Sequence, residues 1–150
     1  MHSGLIESEC REIMARQQKA VRKARRESKY IPTMLFVLDD MADDRKTMGC
    51  QLVRELLMKG RHSYINTALS SQKWRALNLD CRMQLTGLAV FRCRSARDWD
   101  AIKEENSGAI DPHILQEMYE LAISDPYGFL FINSQQGRYF RSFKSELKAS

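Results

Sequence analysis

The chain has 150 residues, 43% of them hydrophobic, which is enough for one buried core of ordinary domain size. Its 24 Lys and Arg outnumber 19 Asp and Glu for a net charge of +5, and the excess sits at the start: residues 1–30 hold eight basic against four acidic side chains, residues 31–150 sixteen against fifteen. No run approaches the ~18 apolar residues of a membrane span, the opening residues lack the basic and apolar regions of a secretory signal, and the expectation is an intracellular protein with no membrane partner.

The first 30 residues read as one basic helix from Leu5 to Lys29, ended before Pro32 because the residue preceding proline is pushed out of the α region. Ile6, Ile13, Ala20 and Ala24 give it only a thin apolar stripe, so it is expected to be largely exposed. Arg22, Lys23, Arg25 and Arg26 suit a phosphate backbone. They suit an ordinary solvated helix equally, since no aromatic residues are interleaved for base stacking.

The run Met34-Leu35-Phe36-Val37-Leu38-Asp39-Asp40 drives an apolar strand into two adjacent carboxylates. A buried strand ending in paired acids sets oxygen ligands at the rim of a sheet, where Mg²⁺ and a nucleotide can sit. A solvated strand end has the same composition. A polar loop follows from Met41 to Thr47, then a helix over Gln51–Met58 that Gly60 is placed to cap, then a second strand over Tyr64–Ser70 ending on Ser71-Gln72. Two strands joined by a helix form a βαβ unit with parallel strands, so Asp39, Asp40 and Gln72 are expected to share one edge.

Trp74 to Leu79 reads as a short helical turn and Gly87–Arg92 as a third strand. Ser95 is placed to cap a helix toward Asn106 with Trp99 and Ile102 on one face. Asp111-Pro112 opens another whose apolar stripe is Ile114, Leu115, Met118, Leu121 and Ala122. Phe129–Ile132 and Arg138–Phe143 read as a hairpin with Arg138 and Arg141 facing water. Cys10, Cys50, Cys81 and Cys93 form no C-x-x-C pair, and with His2, His62 and His113 they complete no zinc spacing. Buried reduced thiols are the better reading than a metal site, or than a nucleophile made of Cys50 or Cys81 with His62.

Asp39-Asp40, then Met58-Lys59-Gly60-Arg61-His62, then Ser70-Ser71-Gln72, then Asp80-Cys81-Arg82 resemble, over about residues 31 to 133, the poxvirus-type genome-packaging ATPases of the FtsK/HerA clade. The phosphate loop G-x-x-x-x-G-K-[ST] that should precede the first strand does not occur in these residues. The resemblance therefore implies an α/β fold: a partial P-loop (RecA/FtsK-like) core, mainly parallel sheet with flanking helices and a C-terminal hairpin. Residues 1–30 would form the basic helix, and residues 31–150 the second half of the ATPase core. It implies ATP and Mg²⁺ as cofactors, with Asp39 on the metal, Asp40 as base and Gln72 as sensor. Arg61, or Arg82, would be an arginine finger reaching a neighbouring subunit. It further implies a homo-oligomeric ring moving double-stranded DNA. An ordinary alternative exists for Arg61, whose place at a helix C-terminus suits the carbonyls and the dipole. His62 reads as a turn residue. The rival for the whole chain is a non-enzymatic module binding nucleic acid or protein through its basic helix. Because the P-loop strand is central in that family, the third strand is expected to pair with the sensor strand or leave a gap, and the hairpin to extend the far edge.

Overall fold

The computed structural model describes residues 2–39 and 51–148, with side chains from Glu7 onward. They fall into two compact units, Met1–Gln72 with Ala76–Gln84 and Lys73–Arg75 with Leu85–Ser150.

The first unit contains α1 (His2–Arg26), β1 (Met34–Leu38), α2 (Gln51–Lys59), β2 (Ile65–Leu69) and a short α3 (Leu79–Arg82). The two strands are parallel, paired from Met34↔Ile65 to Leu38↔Leu69, as the βαβ reading requires. Alternation along them sends Met34, Phe36, Leu38 and Ile65 to one face, where Leu52 and Leu56 of α2 and Cys10 and Met14 of α1 pack. The opposite face is open. Leu35 is 62% and Val37 65% exposed, although a parallel strand of this composition is ordinarily covered on both sides.

The contact face of α1 differs from the expected stripe. Gln17, Val21 and Ala24 are buried while Ile13 is exposed, and Ile6 lies outside the described side chains. Gln17, only 5% exposed, is tolerated because its Nε2 donates to Pro32 O at 2.7 Å and Ser63 O at 3.3 Å, tying the helix to the entries of both strands. Gly60 does not cap α2 in the left-handed region: a 3-10 turn continues through Gly60–Ser63, and Tyr64 takes the positive φ of 56°. Gly60 is small for a packing reason, since a Cβ there would stand 3.0 Å from Ile65 O.

The second unit is a helix-covered antiparallel meander. β3 (Gly87–Val90) leads through α4 (Ala96–Asn106) and α5 (Pro112–Ala122) to β4 (Leu130–Asn133), β5 (Arg138–Arg141) and β6 (Ser145–Leu147), in the spatial order β3-β4-β5-β6. Asp111 caps α5 by accepting from His113 N at 2.8 Å ahead of Pro112. Ser95 stands at the start of α4 but its side chain makes no capping bond. The core joins Val90, Trp99, Ile102, Leu115, Met118, Ala122, Leu130, Ile132 and Tyr139, with the Trp99 ring stacked on Tyr119 at 3.9 Å. Tyr119 takes the place in the α5 stripe expected of Leu121, which is exposed.

Three expectations are therefore corrected. The sheet content is not mainly parallel among the described residues: one parallel pair stands beside three antiparallel ones. Of the two alternatives for the strand at 87–90, pairing with the second strand does not occur: β3 pairs with β4 in a sheet of its own, and the 129–143 hairpin extends that sheet beyond β3, because two helices return the chain antiparallel beside β3. Arg141 is half-buried and bonded to Asp125 at 2.6 Å, since an odd spacing puts it across the pleat from Arg138. β6, missed in the sequence, adds the last strand. Cys81 is buried, Cys10 and Cys93 are half-buried, and Cys50 lies outside the described residues.

Candidate functional site

Parallel pairing brings the ends of β1 and β2 to one edge. Ser70 N donates to Leu38 O at 2.9 Å, and one residue further on Ser70 Oγ donates to Asp39 Oδ1 at 2.5 Å. Asp39 is exposed there, and Gln72 is exposed two residues beyond Ser70. The edge thus brings together a carboxylate and a hydroxyl, with Gln72 following the end of β2. Asp40 and the loop from Met41 to Thr47 lie outside the described residues.

A carboxylate and a hydroxyl are hard oxygen donors of the kind Mg²⁺ takes, and Mg²⁺ completes its shell with water and phosphate oxygens rather than an all-protein cage. The donor set fits that ion. Among the described residues no group of three or more His, Cys, Asp or Glu could hold a metal, so a cage-type site is absent from them.

Arg61 is not at this edge. It lies in the Gly60–Ser63 turn before β2, at the opposite end of the parallel pair, about 16 Å of strand away from Asp39 by the rise of five residues. It is exposed. His62 is an exposed residue of the same turn. Arg82 ends α3, half-buried. α3 is joined to α2 by the Arg54–Asp80 pair at 3.3 Å and is opened by Asn78, whose side chain accepts from Asp80 N at 2.9 Å.

The basic helix has two electrostatic halves. Toward its start the charges are matched: Arg11 bridges Glu7 and Glu55 at 2.8 Å each, and Arg16 meets Glu12 at 3.2 Å. Toward its end Lys19, Arg22, Lys23 and Arg26 are exposed. At ~100° per residue they form one stripe about 170° around the helix from Cys10, Met14, Gln17, Val21 and Ala24. Arg25 is set apart, its guanidinium 5.6 Å from the centroid of the Tyr64 ring. The helical angle thus separates the stripe of Lys19, Arg22, Lys23 and Arg26 from Arg25 on the flank.

In the second unit, burial pushes the Cys93 thiol up, which keeps it protonated and a poor nucleophile. Tyr119 Oη accepts from Cys93 N at 2.7 Å, a bond that anchors α5 to the chain after β3.

Compared with known proteins, residues 7–122 match the family model of the poxvirus A32 protein. No curated protein and no solved structure matches the chain.

Proposed function

Because the chain belongs to the poxvirus A32 protein family, a packaging-ATPase family, we propose that its parallel edge is the Walker B and sensor portion of an ATPase driving double-stranded DNA into capsids. The observation that carries this reading is the juxtaposition of Asp39 and Ser70 at the C-terminal ends of two parallel strands, with Gln72 two residues further along. That is the edge on which open α/β sheets of this kind bind ligands.

In this reading Asp39 and Ser70 would hold Mg²⁺, which when bound would supply charge neutralisation for the phosphoryl group. Asp40 takes the proton of the attacking water, and Gln72 orients that water. Arg61 reaches the phosphate of a neighbouring subunit in a ring, a reading that its exposed place at the far end of the sheet supports, and Arg82 is the second candidate. The Lys19, Arg22, Lys23 and Arg26 stripe tracks the DNA backbone, and the work is done inside the infected cell. What supports a P-loop core is the family and the βαβ unit. These 150 residues lack the glycine-rich cradle and lysine that hold a triphosphate.

Two experiments test it. ATP turnover by this chain alone is expected to be absent; turnover that vanishes in Asp40→Ala would overturn the argument from the missing cradle. Duplex DNA is expected to bind weakly, without sequence preference and with steep loss in salt, and replacing Arg22, Lys23, Arg25 and Arg26 with Gln is expected to abolish it. Unchanged binding in that variant would remove the helix from the mechanism.

A further inference from the structure

The outer face of the antiparallel sheet is aromatic. The pleat that buries Leu130, Ile132 and Tyr139 turns Phe131 and Phe140 the other way, where they are cross-strand partners with ring centroids 6.1 Å apart. Phe143 meets Phe131 edge-on at 5.1 Å and Phe129 at 4.9 Å, and Phe129 lies 4.9 Å from Phe91. Five of the six phenylalanines in the chain thus form one contiguous cluster on this face. Phe91 is 54% and Phe143 73% exposed. The neighbouring strand leaves the rings open, for Ala89 is opposite Phe131, and a Cβ on Gly87 would stand 3.1 Å from the Phe131 ring.

Charge divides along the same line. The sheet segments, residues 85–94 and 129–148, hold six Lys and Arg against one Glu, whereas residues 95–128, which include both helices, hold two against eight Asp and Glu. The lone acid, Glu146, is already taken by Arg138 at 2.8 and 2.7 Å, which lays the guanidinium 5.0 Å from the Phe140 centroid. Arg92 donates to Ile123 O at 3.0 Å and Arg141 pairs with Asp125 at 2.6 Å, both toward α5 and its C-terminal end, whereas Arg138 lies over Phe140 and Lys144 is exposed next to Phe143; an apolar protein partner would satisfy the rings and leave Lys144 unanswered. A duplex would satisfy the cations but keeps its base faces stacked inside.

We infer that this face binds single-stranded nucleic acid, the bases stacking on Phe91, Phe131, Phe140 and Phe143 and the phosphates meeting Arg138 and Lys144. Rings on an open sheet set within positive charge are the general device for holding unpaired bases with little sequence preference. The inference stands apart from the ATPase edge and from α1, and it survives if either fails.

The test uses the full chain with fluorescein-labelled dT15 and rU15, followed by anisotropy. Binding of either oligomer is expected, stronger at low salt, and the preference between them identifies the sugar. Phe91→Ala with Phe143→Ala removes the two most exposed rings, so circular dichroism should be unchanged while affinity falls about tenfold or more per ring. Phe143→Trp should retain binding and show fluorescence quenching when the oligomer is added. The Gln variant of α1 should keep oligomer binding while losing the duplex. Equal affinity in the double alanine variant, loss in the α1 variant, or no binding at low salt would each overturn the inference. So would a dimer in sedimentation that the alanine variant dissolves, which would make the face a contact between copies.

Discussion

The two units solve burial differently. In the second, every strand from β3 to β6 turns its inward residues onto α4 and α5, and Leu115, Ala122 and Leu130 have no exposed surface at all. In the first, α1 and α2 cover a single face of a two-stranded sheet and leave Leu35 and Val37 in water. The residues proposed to carry chemistry lie at the edge of the less completely covered sheet. Composition alone does not reveal this, because both units are built from apolar runs of similar strength, and only pairing decides which runs are enclosed.

The largest effect that tests this contrast is Leu115→Ala or Leu130→Ala. Either removes a fully enclosed side chain and should lower stability by about 2–5 kcal/mol in chemical denaturation. A loss under about 1 kcal/mol would mean that the second core is loosely packed.

Next is Gln17→Ala, which leaves the carbonyls of Pro32 and Ser63 without their shared donor and should cost about 1–3 kcal/mol. Protease sensitivity near α1 should rise with it; a silent substitution would show that the helix docks by its apolar residues alone.

Leu35→Ser and Val37→Ser, by contrast, should change stability by no more than about 0.5 kcal/mol. A loss several times larger would show that this face is covered in solution, and the contrast between the units would disappear.

The smallest effect is electrostatic. The Arg138 guanidinium, first through its hydrogen bonds, holds the Glu146 carboxyl below the usual range. A depressed carboxylate contributes stability above its unfolded pKa of ~4.3 and loses it as pH falls through the folded value. Glu146→Gln should therefore be slightly less stable than the parent at neutral pH, and the two should converge in acid. A gap that persists in acid would assign the effect to packing.

Much of this was legible in the chain. The apolar runs before Asp39 and Ser70, with a helical run between, specified the parallel pair and the shared edge, and Asp111-Pro112 marked the start of α5. What could not be read depended on distant partners. Gln17 counts as core only because two carbonyls meet it. Tyr64 rather than Gly60 takes the left-handed backbone because the 3-10 turn delays the strand. The run Phe129–Ile132 is apolar at every position, so its sequence hides that Leu130 and Ile132 face the helices and Phe131 does not. Of the proposed site, topology puts Asp39 at the end of β1 beside Ser70 at the end of β2, from which Gln72 follows. Arg61, which the resemblance assigns to a neighbouring subunit's phosphate, stands at the other end of the sheet.

The most direct test of the functional account is titration of Mn²⁺, a spectroscopic substitute for Mg²⁺, into the chain, with the free ion read by electron paramagnetic resonance. The account predicts weak binding that is lost in Asp39→Asn and is strengthened little by ATP, since these residues lack the phosphate cradle. Mn²⁺ binding that is indifferent to Asp39→Asn would contradict it.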